Sequence, residues 1–169
     1  METLIVLALM GLIWGLIIAL IALGLSIIFG LLDVINIAHG DFFMVGSVLA
    51  WFVLQTTGNF WLALLIVPLI GCVMGSICEY LVIRPIKNAA ALTIVATFGL
   101  SLFLQESVRA TFGAAPKRLM VPVDQTFSLI GIEYEVYRII AALFAVILIL
   151  GFFIFLHRTK LGVWMRAVR

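Results

Sequence analysis

Asp33-Val-Ile-Asn-Ile-Ala-His-Gly-Asp-Phe42 is the stretch that decides how this chain is read. On its N-terminal side, Thr3 to Leu32 run for thirty residues without a charge. On its C-terminal side the next charge after Asp41 is Glu79. Two carboxylates, an asparagine and a histidine between such runs form either a short loop at a membrane surface or the lining of a polar path through protein. Both readings put the chain in a bilayer and make this segment the first candidate for function.

Composition agrees. The chain is 66% hydrophobic and 11% charged, with mean hydropathy +1.35, against about 45–50% apolar and about 25% charged for a soluble domain. A helix needs about 20 apolar residues to cross the hydrocarbon core. Uncharged or nearly uncharged runs cover Leu4–Leu32, Phe60–Ile83, Ala89–Phe112 and Ile139–His157, with a shorter run at Ile37–Gln55. Lipid leaves backbone groups no outside partner, and runs of this length without alternation are helices, not barrel strands. The expectation is an all-α, polytopic transmembrane bundle in one domain. Its spans are about 4–32, 36–56, 60–83, 89–112 and 139–157, with an outer loop over 113–138.

The N-terminal Met-Glu-Thr carries no basic region, and the run behind it is too long for a signal peptide, so it is read as a retained span. Cys72 and Cys78 are six apart on one expected helix and face different ways, so they are packing residues and not a disulfide. Arg84 and Lys87 end the third span, while Arg158, Lys160, Arg166 and Arg169 follow the fifth. Two spans separate these clusters, so they share a side. They outnumber the four basic residues of the opposite loop (Arg109, Lys117, Arg118 and Arg138), which makes the shared side cytoplasmic and the N-terminus periplasmic. The second span is the weak one. Starting its helix at Asn36 lengthens it, with Asn36 or Asp33 as N-cap and Asp41 near the positive end of the dipole.

Gly11-Leu-Ile-Trp-Gly15 and Gly71-Cys-Val-Met-Gly75 are GxxxG faces, and Gly46-Ser-Val-Leu-Ala50 is a variant; such small residues let helices pack closely in lipid. Pro68 falls inside the third span and is expected to kink it. Glu79 is expected to pair with Arg84 at the inner end of that span. Glu106 is expected to pair with Arg109 three residues on. His39 has no second ligand at metal spacing, so no metal site is expected. The sequence also shows no Ser/His/Asp set, no HExxH and no phosphate-cradling glycine loop. No catalytic chemistry and no cofactor are expected. Thr126–Ile130, Gly131 and the alternating Ile132-Glu-Tyr-Glu-Val-Tyr137 form either a short β-hairpin or a segment lying along the membrane surface.

Gly24-Leu-Ser-Ile-Ile-Phe-Gly30, followed by Val34-Ile-Asn-Ile-Ala-His-Gly-Asp-Phe-Phe43, resembles the signature of the permease subunits of branched-chain amino acid ABC importers. Arg84-Pro85, Thr93-Ile-Val-Ala-Thr-Phe-Gly-Leu-Ser-Leu102 and Arg158-Thr-Lys-Leu-Gly-Val-Trp-Met-Arg-Ala167 follow in the family's order. The Asn-x-Ala-His-Gly-Asp element is the specific one. Related permeases for urea and short amides share it. Family members are longer, with further spans and a cytoplasmic coupling loop, so this chain resembles their N-terminal portion.

The resemblance implies a non-enzymatic permease of the bacterial inner membrane. It would work with a second related permease, cytoplasmic ABC ATPases that hydrolyse the ATP, and a periplasmic substrate-binding protein. No nucleic-acid partner is expected. Asn36, His39, Gly40, Asp41, Thr93 and Thr97 are then candidates for the translocation path or its gate. Arg84, Arg158, Lys160, Arg166 and Arg169 are candidates for the ATPase-facing surface, and Gly11, Gly15, Gly71 and Gly75 for helix packing. A corner between the first two helices at the cytoplasmic surface would favour a gate or hinge over a substrate pocket. Two competing classes remain: a membrane assembly protein, which would purify with a membrane partner but no ATPase, and a passive channel, which would conduct without nucleotide.

Overall fold

A computed structural model describes residues 2–32, 34–86, 89–117, 125–129, 132–160 and 162. It contains five α-helices, a π turn and one hairpin, and divides into two compact units: Met1–Leu32 with Val121–Arg169, and Asp33–Met120. The all-α reading holds. Four of the helices carry stretches long and apolar enough to cross a membrane: Leu7–Gly30, Phe60–Ile83, Ala90–Phe112 and Val136–Arg158.

In the first unit, helix α1 (Glu2–Leu32) and helix α5 (Val136–Arg158) pack together. The buried positions of α5 are Ala142 and Ala145, small residues that allow close backbone approach where lipid supplies no hydrophobic drive. Arg138 lies with its guanidinium 6.0 Å from the Trp14 ring centre and also pairs with Glu135 at 2.8 Å. Strands β1 (Thr126–Leu129) and β2 (Ile132–Glu135) pair antiparallel, Thr126 opposite Glu135 and Leu129 opposite Ile132. The hairpin alternative is therefore the one formed; Gly131 lies outside the described residues. The Val136 N–H donates to the Gln125 carbonyl at 3.0 Å, joining the hairpin to the first turn of α5.

The C-terminal end of α5 is built from the Arg158-Thr159-Lys160 element. The Thr159 hydroxyl donates to the Phe155 carbonyl at 2.7 Å and accepts the Gly162 N–H at 3.1 Å. Gly162 is buried, and a Cβ there would fall on the carbonyl oxygen and Cα of Leu156. The glycine of the Arg-Thr-Lys-Leu-Gly element thus has a steric reason. Arg166 and Arg169 lie outside the described residues, as does Lys87.

The second unit holds helix α2 (His39–Thr57), helix α3 (Phe60–Cys78) continued by a π turn (Glu79–Ile83), and helix α4 (Ala90–Phe112). The turn from α2 to α3 has two residues with separate tasks. Gly58 adopts φ +65°, the left-handed region open to glycine, and its N–H returns to the Leu54 carbonyl at 2.8 Å. Asn59 caps α3, its Oδ1 accepting the N–H groups of Trp61 and Leu62 at 3.0 and 3.4 Å. Replacing Asn59 by alanine is expected to cost about 1 kcal/mol, read as a lowered thermal midpoint in detergent. Pro68 lies inside α3 without ending it.

Two expectations need correction. The Glu79–Arg84 pair does not form: Arg84 sits with its guanidinium 5.6 Å from the Tyr80 ring centre, and Glu79 stays exposed. The π turn carries the backbone from the Glu79 carbonyl to the Arg84 N–H at 2.8 Å, and the planar guanidinium is drawn to the aromatic face. The Glu106–Arg109 pair does form, at 2.6 Å. Second, α2 does not begin at Asn36: its N-cap is Ala38, with no side-chain capping bond, and 34–36 have no helical structure. Asp41 does lie in its first turn. Asp33 lies outside the described residues.

Large apolar side chains face outward along every helix, Trp61 at 75% exposure and Val95 at 68%. That surface is natural in lipid or against other subunits. Cys72 and Cys78 are both free. A Cβ added at Gly11, Gly15, Gly71 or Gly75 would meet nothing within 4 Å, so none of these glycines is used for a close approach among the described residues.

Candidate functional site

The sequence's polar segment comes together in the second unit, against α4. Along α4 the residues at every fourth position are Thr93, Thr97, Ser101 and Gln105, which fall on one face. The first three are buried, Thr97 completely. Four polar residues on the inward face of an otherwise apolar helix need partners, since an unpaired polar group away from water costs about 1–3 kcal/mol.

The partners are largely backbone. Thr93 Oγ1 bonds the carbonyls of Ala89 and Ile86 at 3.2 and 3.3 Å. Thr97 Oγ1 donates to the Thr93 carbonyl at 2.8 Å and accepts the Ile37 N–H at 3.3 Å, with the Ile35 carbonyl 3.4 Å away. Gln105 donates from Nε2 to Ser101 Oγ at 3.1 Å and to Asp41 Oδ1 at 2.9 Å. The non-helical segment before α2 is thereby tied to α4 through Thr97, and the first turn of α2 through Gln105.

Asn36 serves this corner from within. Its Oδ1 accepts the Ala38 N–H at 3.0 Å, an Asx turn, and its carbonyl accepts the His39 N–H at 3.3 Å. The Ala38 carbonyl then takes the N–H groups of Asp41 and Phe42 at 3.0 and 3.2 Å. Asn36 and Ala38 are buried, His39 and Asp41 half-buried and Gly40 exposed. Ala38 forms the apolar floor of the corner with Val45 and Leu104, flanked by Phe42, Met74 and Leu100.

The register of these contacts sets the depth. Ile37 meets Thr97, Asp41 meets Gln105 and Phe52 meets Phe112, so α2 and α4 run in the same direction. At 1.5 Å per residue Thr97 lies about 10 Å from the first residue of α4, and Gln105 about 10 Å from the last. The corner therefore lies beside the middle of a helix long and apolar enough to span the bilayer. Non-helical backbone at that depth is stable only where protein covers it or a water-filled cavity meets it. Here buried Thr97 and Asn36 supply the missing partners.

Of the expected path residues, Asn36, His39, Gly40, Asp41, Thr93 and Thr97 all belong to this one unit, and the structure adds Ser101 and Gln105. Their signal was in the sequence as the four-residue period Thr93, Thr97, Ser101, Gln105. At the C-terminal end of the α2–α4 pair, Phe112 meets Trp51 and Phe52 edge-on at 6.4 and 5.8 Å, and Lys117 Nζ lies 4.9 Å from the Trp51 ring centre. No group of three or more His, Cys, Asp or Glu capable of holding a metal occurs among the described residues.

Helices of this length and composition are those of a multi-pass membrane protein. Residues 7–169 match the family described as "Branched-chain amino acid transport system / permease component", and the chain belongs to that family. It is 26% identical over 164 residues to the high-affinity branched-chain amino acid transport system permease protein BraD of Pseudomonas aeruginosa, covering 88% of this chain and 53% of BraD. It is 31% identical over 109 residues to the permease protein LivH of Escherichia coli K12, covering 57% of this chain and 34% of LivH. A probable branched-chain amino acid transport permease of Methanocaldococcus jannaschii is 26% identical over 166 residues, covering 93% and 52%. The chain thus spans about half the length of BraD and of the archaeal relative. No solved structure gives a significant match.

Proposed function

We propose that this chain is part of a membrane-spanning permease subunit of an ATP-driven importer for branched-chain, hydrophobic amino acids. The observation that carries the proposal is the polar corner held at mid-depth by Thr97 and Gln105, in a chain that belongs to the permease family. A bilayer-spanning bundle puts polar side chains and broken backbone at its centre where something polar has to pass or where the bundle has to move. The permease would pair with a second, related permease. ATP hydrolysis would belong to cytoplasmic ATPases and cargo delivery to a periplasmic binding protein. Arg84, Arg158 and Lys160 would then lie on the cytoplasmic side, which leaves the N-terminus periplasmic. The outward apolar surface, with Gly11, Gly15, Gly71 and Gly75 open on it, is available to lipid and to the second permease. The five helices would act as one transmembrane permease domain.

The test is ATP hydrolysis by the complete complex reconstituted in lipid vesicles. Hydrolysis is expected to rise when binding protein loaded with leucine, isoleucine or valine is added. Stimulation by urea or a short amide alone would move the chain to the related permeases. No stimulation by any loaded binding protein would overturn the importer reading in favour of an assembly protein. Conductance without nucleotide would overturn it in favour of a channel.

A further inference from the structure

Resting on that permease reading, we infer that the Asp41 carboxylate, positioned by Gln105, is the subsite for the positively charged amino group of an amino acid in transit. The corner has little donor capacity to spare. The N–H groups of Ile37, Ala38, His39, Asp41 and Phe42 all have partners, in Thr97, Asn36 and Ala38. Most N–H groups at the start of α2 are therefore taken, that of Gly40 excepted, and its positive end already faces a carboxylate in the first turn, which disfavours an anion. What the corner offers is an acceptor. Asp41 accepts one hydrogen bond, from Gln105 to Oδ1, and among the described residues no Lys, Arg or His makes an ion pair with it.

Depth makes this unusual. A carboxylate beside the middle of a membrane-spanning helix is costly, and such groups face the protein interior or an aqueous cavity and pair with a cation or a proton. Asp41 is half-buried and not sealed in, so a partner from outside the chain has access. The neutral amide of Gln105 fixes the carboxylate's direction without discharging it, because its Nε2 is shared with Ser101. A zwitterionic amino acid brings an ammonium group, a charge-assisted donor that a carboxylate accepts strongly. Urea and simple amides bring N–H donors but no cation, and gain less from the charge than an ammonium does.

The experiment uses the assembled transporter in vesicles, reading leucine uptake and ATP hydrolysis stimulated by leucine-loaded binding protein in the same preparation. Asp41→Asn keeps the shape and the bond to Gln105 but removes the charge. Its uptake is expected to fall about tenfold to a hundredfold, the scale of one lost hydrogen bond to a charged group, with stimulated hydrolysis retained. Asp41→Glu is expected to recover most of the uptake. Glu106→Gln, which removes an exposed carboxylate one residue from Gln105, is expected to leave both readouts unchanged. Wild-type uptake in Asp41→Asn would overturn the inference, because it would mean that a proton neutralises the carboxylate and the cargo does not. A joint loss of uptake and stimulation in both Asp41→Asn and Asp41→Glu would also overturn it, by making Asp41 a structural residue. A wild-type complex that no loaded binding protein stimulates would bring down the permease reading itself, a failure visible before any variant is made.

Discussion

Replacing Thr97 by valine is expected to destabilise the second unit by about 1–3 kcal/mol, the cost of stranding a buried hydrogen-bonding group. Valine matches the shape but lacks the hydroxyl, so the Ile37 N–H loses the acceptor that completely buried Thr97 supplies. Serine at the same position keeps the hydroxyl and gives up only a methyl, worth about 0.8 kcal/mol. The order of thermal midpoints in detergent should be wild type, then Thr97→Ser, then Thr97→Val. A valine variant as stable as wild type would show that the 34–38 segment is held without Thr97. In the assembled transporter, leucine uptake should follow the same order, because the corner that carries Asp41 hangs from this bond.

The second large effect is expected at Gly162. An alanine Cβ would collide with the backbone of Leu156, which cannot move aside as the end of a flexible side chain can. Overpacking of this kind costs about 1–3 kcal/mol, and here it is relieved by opening the turn that follows α5. Hydrogen exchange across residues 159–162 should therefore speed up in Gly162→Ala. Thr159→Val, which removes the hydroxyl linking the Phe155 carbonyl to the Gly162 N–H, should speed it in the same region by a smaller factor. Unchanged exchange in Gly162→Ala would mean that the close approach is not a feature of the protein in membranes.

The long spans were legible because they depend on one property, the near absence of charge over about 20 residues. The Glu106–Arg109 pair was legible because helical spacing sets it locally, and the hairpin only as one of two readings, since the alternation over Ile132–Tyr137 also fits a segment lying along a membrane surface. Glu79 and Arg84 misled for the same reason, since a π turn and a nearby tyrosine altered a spacing argument made for an α-helix. The candidate site was half legible. Asn36, His39 and Asp41 stood out as polar residues in an apolar chain, and Thr93 and Thr97 entered with the family resemblance. Ser101 and Gln105 did not stand out, because a single serine or glutamine in a helix carries no signal of its partner. Their role depends on how α4 registers against a segment some sixty residues earlier, and no within-helix periodicity contains that offset.

The same offset bears on how the protein enters the membrane. Residues 36–41 leave the ribosome well before Thr97 and Gln105 exist to receive them. Until then the Ile37 N–H and the Asp41 carboxylate lack the partners that α4 supplies, and polar groups in hydrocarbon without partners are costly. Helix α2 is not among the stretches apolar enough to override that cost by itself. Its start must wait at the edge of the insertion machinery, as a guest without a seat, until α4 arrives. Biogenesis of this region is thus an ordered event in which the fourth helix completes the entry of the second.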